Sequence, residues 1–202
     1  MNFSNLKGHF LTVTRHRRKV RQHCFRCGIY WRGLTHDLSK FSPTEFIPGV
    51  RFFQGNRSPN EREREVSGYS KAWMHHKGRN RHHFEYWTDY STVTKKLEPV
   101  KMPDEYLFEM FCDRVSASKI YMKDKYVDSA PLEYFLLAKP RRAIEHETAE
   151  KLEFLLRMLA EQGEDKTFAY VHNQVRRNKK GQHDWIDFKL DRKPTDIKTA
   201  QT

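Results

Sequence analysis

The residues of this chain best suited to chemistry are the pair His36-Asp37, in Thr35-His36-Asp37-Leu38-Ser39-Lys40, and the candidate ligands around it. His16 and His23 lie upstream, His75-His76 and His82-His83 downstream, and Asp113 follows in Phe111-Cys112-Asp113-Arg114. Imidazole and carboxylate together suit divalent zinc, manganese, iron or nickel. The block from Trp73 to Trp87 holds four His within nine residues, far above chance. A buried carboxylate at Asp113, among apolar neighbours, needs a counter-charge, which a metal supplies. On a regular helix the adjacent side chains of His36 and Asp37 diverge by about 100°. A shared ion must then sit between them or at a helix end.

An early His, a His-Asp pair, further His residues and a late Asp, all in helical surroundings, resemble the HD superfamily of metal-dependent phosphohydrolases. The resemblance implies one ion held by His16, His36, Asp37 and Asp113, with His23 as the alternative first ligand. It implies a second ion on His76 and on His82 or His83, of which His83 is taken as the ligand and His75 and His82 as flanking residues. The cofactor is then one or two divalent transition-metal ions (Mn, Fe, Ni or Zn). The reaction implied is hydrolysis of a nucleotide or other small phosphate ester through a metal-bound hydroxide. Lys40, one turn beyond Asp37, is placed to bind phosphate or to pair with the carboxylate. Arg79 and Arg81 are candidates to fork onto phosphate oxygens. Glu45 is either a general base or simply the opening of the next helix.

A closer resemblance, over roughly residues 5–160, is to a small bacterial and phage family of unknown function. It rests on His36-Asp37-Leu38-Ser39-Lys40, on His75-His76 with Asn80 and His82-His83-Phe84-Glu85-Tyr86-Trp87, and on Cys112-Asp113-Arg114. It specifies a family and brings no activity. The segment Arg79-Asn80-Arg81 between the His pairs departs from the Gly-rich form of the cyclic dinucleotide phosphodiesterases. Two other readings stand beside hydrolysis. One is a di-iron oxygenase of HD type, which uses the same ligand types. The other is a basic, non-enzymatic nucleic-acid-binding protein with a structural metal.

Helices must position these residues. Apolar spacing predicts a long helix over residues 6–32, loosened at its end by Gly28 and Gly33. A shorter helical piece carries His36-Asp37. Ser42 and Pro43 then start another helix as N-cap and first residue, and Pro48-Gly49 ends it. A helix through Tyr69, Trp73 and His76 stops at Gly78, and a second piece runs from Arg81 to Tyr90. Helices follow over residues 103–126, 131–138 and 141–161, the last capped by Gly163. No strand alternation stands out. The class is all-α: an HD-like bundle of about six to eight helices over residues 1–165, then a basic extension over 166–202. In that extension Phe168, Tyr170 and Val171 anchor the start, Trp185, Ile186 and Phe188 dock back, and the end from Asp191 is mobile.

Composition bounds the rest. The 202 residues suffice for one substantial domain. Hydrophobic content is only 37%, so the 13% of aromatics must carry much of the core. Three cysteines make no disulfide framework, and Cys24 and Cys27 share a helix face where free thiols pack as small hydrophobes. The net charge of +12 favours anionic partners, with basic blocks at Arg15–Arg21 and Arg176–Lys180. No apolar run spans a membrane and no signal-peptide pattern opens the chain, so a cytoplasmic location is expected.

Overall fold

The computed structural model describes residues 2–189. Among them are eight α-helices and one small two-stranded sheet, so the expected all-α class holds. The extension's end from Asp191, expected to be mobile, lies outside the described residues.

Helix α1 (Phe3–Arg26) opens with Asn2 as N-cap, its side chain accepting the Ser4 amide at 3.0 Å. Its buried stripe is His9, Val13, His16, Val20, His23 and Cys24, at helical spacing. The expected continuous helix to residue 32 is instead two. Gly28 adopts a left-handed conformation (φ +74°), and α2 (Tyr30–Thr35) folds back on α1. That return needs Gly33, because a Cβ there would meet the Cys24 Cβ at 2.8 Å and the Arg21 backbone at 3.3 Å.

A 3₁₀ turn (Leu38–Phe41) leads into α3 (Pro43–Arg51), which starts at Pro43 as expected. Pro48 does not end α3; the helix continues through it, and Gly49 packs against His9 of α1. Tertiary packing there outweighs the backbone hydrogen bond a proline forgoes. Helices α4 (Pro59–Ser67) and α5 (Lys71–Lys77) are separated by a left-handed Gly68. Residues 81–90 are mostly not helical. The chain turns, makes one 3₁₀ turn (Phe84–Tyr86), and pairs β1 (Thr88–Tyr90) antiparallel with β2 (Leu97–Pro99), Asp89 opposite Glu98.

Helix α6 (Asp104–Met122) runs through the centre, with Leu107, Phe108, Met110, Phe111, Cys112 and Val115 all buried. Helix α7 (Ala130–Ala138) and the long α8 (His146–Asn178) close the core from the other side. Gly163 is a kink (φ 79°, ψ 173°) rather than a cap, and α8 resumes beyond it. The boundary drawn at 165/166 therefore falls inside α8, and Phe168, Val171 and Val175 belong to the same core as Leu152 and Leu155. Trp185 docks as expected, stacked on Phe108 and donating to Asp104 at 2.8 Å, while Ile186 stays exposed. The cysteines are free and buried, with the Cys27 and Cys112 sulfurs 3.6 Å apart. Among the described residues no helix is long and apolar enough to cross a membrane.

Candidate metal centre

His36 and Asp37 are not on a helix. His36 caps the end of α2 in a non-helical conformation (φ −48°, ψ 127°), and Asp37 is left-handed (φ 51°, ψ 29°). The left-handed region is open to Asp at modest cost, and strain of this kind gathers at functional sites. This break turns both side chains inward. Arg17 pins it, donating to the His36 carbonyl at 2.7 Å and the Leu34 carbonyl at 3.2 Å. One member of the basic Arg15–Arg21 block thus serves the end of α2.

Asp37 is 1% exposed and lies at the centre of the cluster. Its Oδ2 faces His36 Nε2 at 3.4 Å and His16 Nε2 at 4.0 Å. Its Oδ1 faces His76 Nε2 at 3.3 Å and His82 Nε2 at 3.4 Å. Asp113 Oδ1 lies 2.9 Å from His16 Nε2 and 3.6 Å from His36 Nε2. His83 Nε2 stands 2.9 Å from His76 Nε2. Three overlapping ligand sets share this space: His16, His36 and Asp113; Asp37, His76, His82 and His83; and His36, His82 and Glu109.

The far edges of the rings are held by carboxylates. His36 Nδ1 donates to Glu109 at 2.9 Å, and His82 Nδ1 lies 3.2 Å from the same oxygen. His76 Nδ1 donates to one oxygen of Glu45 and His75 Nδ1 to the other, both at 2.7 Å. With Nδ1 turned to a carboxylate, Nε2 of His36, His76 and His82 is left pointing at Asp37. Outer carboxylates of this kind orient metal-binding imidazoles. The Nε2 atoms of His36 and His82 and Oδ1 of Asp37 are buried without a hydrogen-bond partner among the described residues. Orphaned polar atoms are costly in an interior, and here they converge. The donor set fits one or two divalent ions.

The electrostatics follow from this packing. Burial would raise Glu109, but hydrogen bonds from His36 and His82 outweigh it and hold the carboxyl at about 2. Asp37 and Asp113 are likewise held well below the carboxylate range against burial, Asp37 by His36 and Lys40, Asp113 by His16 and His36. Burial pushes His16 down and, with the neighbouring His82 and His76, pushes His83 well down. His36 and His76 go up, because adjacent carboxylates outweigh their burial.

The structure brings His16, His36, Asp37, His76, His83 and Asp113 together, and His82 with them. His23 is elsewhere, donating to Ser116 at 2.8 Å and packing on Phe168, so the early His of the cluster is His16. Lys40 is present but engaged, 2.5 Å from Asp37 Oδ2. Glu45 opens α3, and its two oxygens are occupied by His75 and His76, which makes it a positioning group. Arg79 and Arg81 are not brought to the cluster. Both are exposed; Arg79 contacts the His75 carbonyl and Arg81 the Tyr106 hydroxyl. The inward turn of His82 and His83 sends Arg81 outward.

Glu109 is the candidate-site residue that sequence reasoning missed. Its signal was present: it lies four residues before Asp113, on the same face of α6. A cavity of about 580 Å³ opens beside His83 and Asp113, lined by Trp73, Phe84, Tyr134 and arginines that include Arg114 and Arg142. Burial, then the Arg142 charge, pushes the Arg114 guanidinium down to about 10. In the C-terminal basic block, Arg177 is paired with Asp184. No curated protein and no solved structure matches the chain. Residues 5–158 match DUF5662, described as a family of unknown function, and the chain belongs to that family.

Proposed function

We propose that this protein is a metal-dependent phosphohydrolase acting on a nucleotide or other small phosphate ester. The observation that carries the reading is the convergence of the Nε2 atoms of His36, His76 and His82 on a buried Asp37, each ring steadied at Nδ1 by a carboxylate. The order His16, His36-Asp37, Asp113, resembling the HD superfamily, supports it as well. His16, His36, Asp37 and Asp113 would hold one ion, and Asp37 with His76, His82 and His83 a second. Ions bound there supply Lewis acidity toward a phosphoryl oxygen and a water acidic enough to attack near neutral pH.

The chain's own residues do the rest. Glu109 and Glu45 fix the ring orientations through Nδ1 of His36 and His76. Lys40 holds one oxygen of Asp37 and brings positive charge to the place where an anion would dock. Phe84, Trp73 and Tyr134 line the adjoining cavity with apolar surface, which limits water. Its volume lies within the range of small-molecule sites, roughly 300–1,000 Å³.

The test starts with the metal content of the purified protein and of the double variant His36→Ala, Asp37→Ala. Bound transition metal in the parent, lost from the variant, is the expected result. Protein reloaded with Mn, Fe, Ni or Zn is then screened against nucleotides and phosphomonoesters. No hydrolysis with any metal removes the proposal, and iron with an oxygen-sensitive absorption band redirects it to oxygenase chemistry.

A further inference from the structure

Two partly buried arginines in the cavity beside the cluster make no ion pair; Arg64, at the same cavity, is exposed. Arg114 follows Asp113 on α6, and Arg142 lies just past α7. Neither makes an ion pair with any described residue, although Glu61 and Glu85 line the same cavity. Aromatic rings hold both guanidinium groups instead. Arg142 Cζ lies 5.6 Å from the Phe84 ring and 5.8 Å from the Tyr134 ring, and Arg114 Cζ lies 5.6 Å from the Phe135 ring. Ring faces fix a guanidinium by its plane and leave its edge donors open to an anion; the one edge contact of Arg114 is a long one, from Nη2 to Met110 Sδ at 4.0 Å. Nε of Arg114 is buried with no hydrogen-bond partner. Asp113 and Glu85 lend Arg114 charge at a distance, but like charges held in a half-buried cavity with no ion pair are unfavourable, and an anion spanning them reduces the penalty.

We propose that Arg114 and Arg142 form an anion subsite, separate from the His/Asp cluster, that binds a second anionic group of the substrate. The substrate class is then a phosphate ester carrying a further phosphate or carboxylate, with an apolar body between its charged ends. This rests on the phosphohydrolase reading for the ester, and on the arginine geometry alone for the second anion. Forked guanidinium donors match the oxygens of either group.

The experiment uses the full chain, stripped of metal with chelator, and inorganic phosphate as the probe. Calorimetric titration at low ionic strength is expected to show saturable binding without metal. Arg142→Gln and Arg114→Gln are each expected to weaken it about tenfold or more, with Arg142→Lys intermediate because it keeps charge but loses the fork. Circular dichroism verifies that the variants remain folded. Absence of saturable binding to the stripped parent overturns the subsite, as does binding unchanged in both Gln variants. Ester hydrolysis without phosphate binding leaves the hydrolase reading and removes the subsite; phosphate binding without hydrolysis by any metal form does the reverse.

Discussion

Glu109 accepts from His36 and stands against His82, so it governs two rings at once. Glu109→Gln keeps the volume but replaces a charged acceptor with an amide. Loss of such an outer carboxylate typically costs about 10–100-fold in metal affinity. Competition against a graded chelator should show a loss of that order, and an unchanged affinity would remove Glu109 from the site. His23 carries a different prediction. Burial lowers its pKa from 6.5 to about 4, because a charged ring cannot be solvated between Ser116 and Phe168. The unfolded chain therefore takes up a proton that the native state refuses, and stability falls as pH drops from 6.5 toward 4. At about pH 5 the loss is about 2 kcal/mol. His23→Gln keeps a neutral donor for Ser116, so the fall in Tm between about pH 7 and pH 5 should shrink by roughly 4–8 °C. His9, also lowered to about 4, retains its own share in that variant. An undiminished fall would mean that His23 is protonated in the folded protein. The ligand types and their order were legible at this scale, since His36-Asp37, the His block and Asp113 stand out as residue chemistry. Glu109 was not, because a lone Glu on a helix looks like surface until the rings it supports are in place. His16 and His23 share the buried stripe of α1, so only packing could separate them.

Helices α1 and α6 were readable from apolar periodicity, and their contact is central to the fold. What the sequence obscured were the breaks, and they are what build the site. Adjacent residues on a helix diverge by about 100°, so His36 with Asp37, and His82 with His83, reach one cluster only where the helix is interrupted. The interruption at Asp37 is a left-handed residue, and around His82-His83 it is a turn between α5 and the hairpin. Periodicity carries no signal for either, because the requirement lies in the partners. Gly28 and Gly33 were visible as weak points, but their use in folding α2 back on α1 depends on a close approach. Gly33→Ala tests that use. An alanine is favoured over glycine inside a helix by up to about 1 kcal/mol. Here its Cβ would meet the Arg21 backbone at 3.3 Å and the Cys24 Cβ at 2.8 Å, neither of which is a flexible tip. The clash should prevail, with a net loss of about 1–3 kcal/mol. Because His36 hangs from the end of α2, metal retention should fall together with Tm. A stability loss with full metal retention would show that the position of His36 does not depend on the seat of α2.

For the molecule as a whole, the net charge of +12 suggested anionic partners, and part of that charge is consumed internally. Arg17 serves the end of α2, Lys40 serves Asp37 and Arg177 pairs with Asp184. The all-α class was legible because it sums many local signals. The path of the chain after residue 163 was not, since a glycine that looks like a cap is a kink within α8. The candidate ligands come from four places along the chain: His16 on α1, His36-Asp37 after α2, His76 to His83 around the end of α5, and Asp113 on α6. An ion bound to them would close loops that the unfolded chain leaves open, and only the native state assembles the donors. Such binding adds about 2.7 kcal/mol at 100 times Kd. For a domain of this size that corresponds to a Tm higher by roughly 5–10 °C. Ligation also competes with protons, so the gain should diminish as pH falls and the imidazoles become charged. Thermal melts of chelator-treated and metal-loaded protein across pH test both parts. Equal Tm values in the two forms would mean that the orphaned donors around Asp37 bind no ion. A gain confined to the parent and absent from His36→Ala, Asp37→Ala would place the ion on this cluster rather than on the exposed histidines.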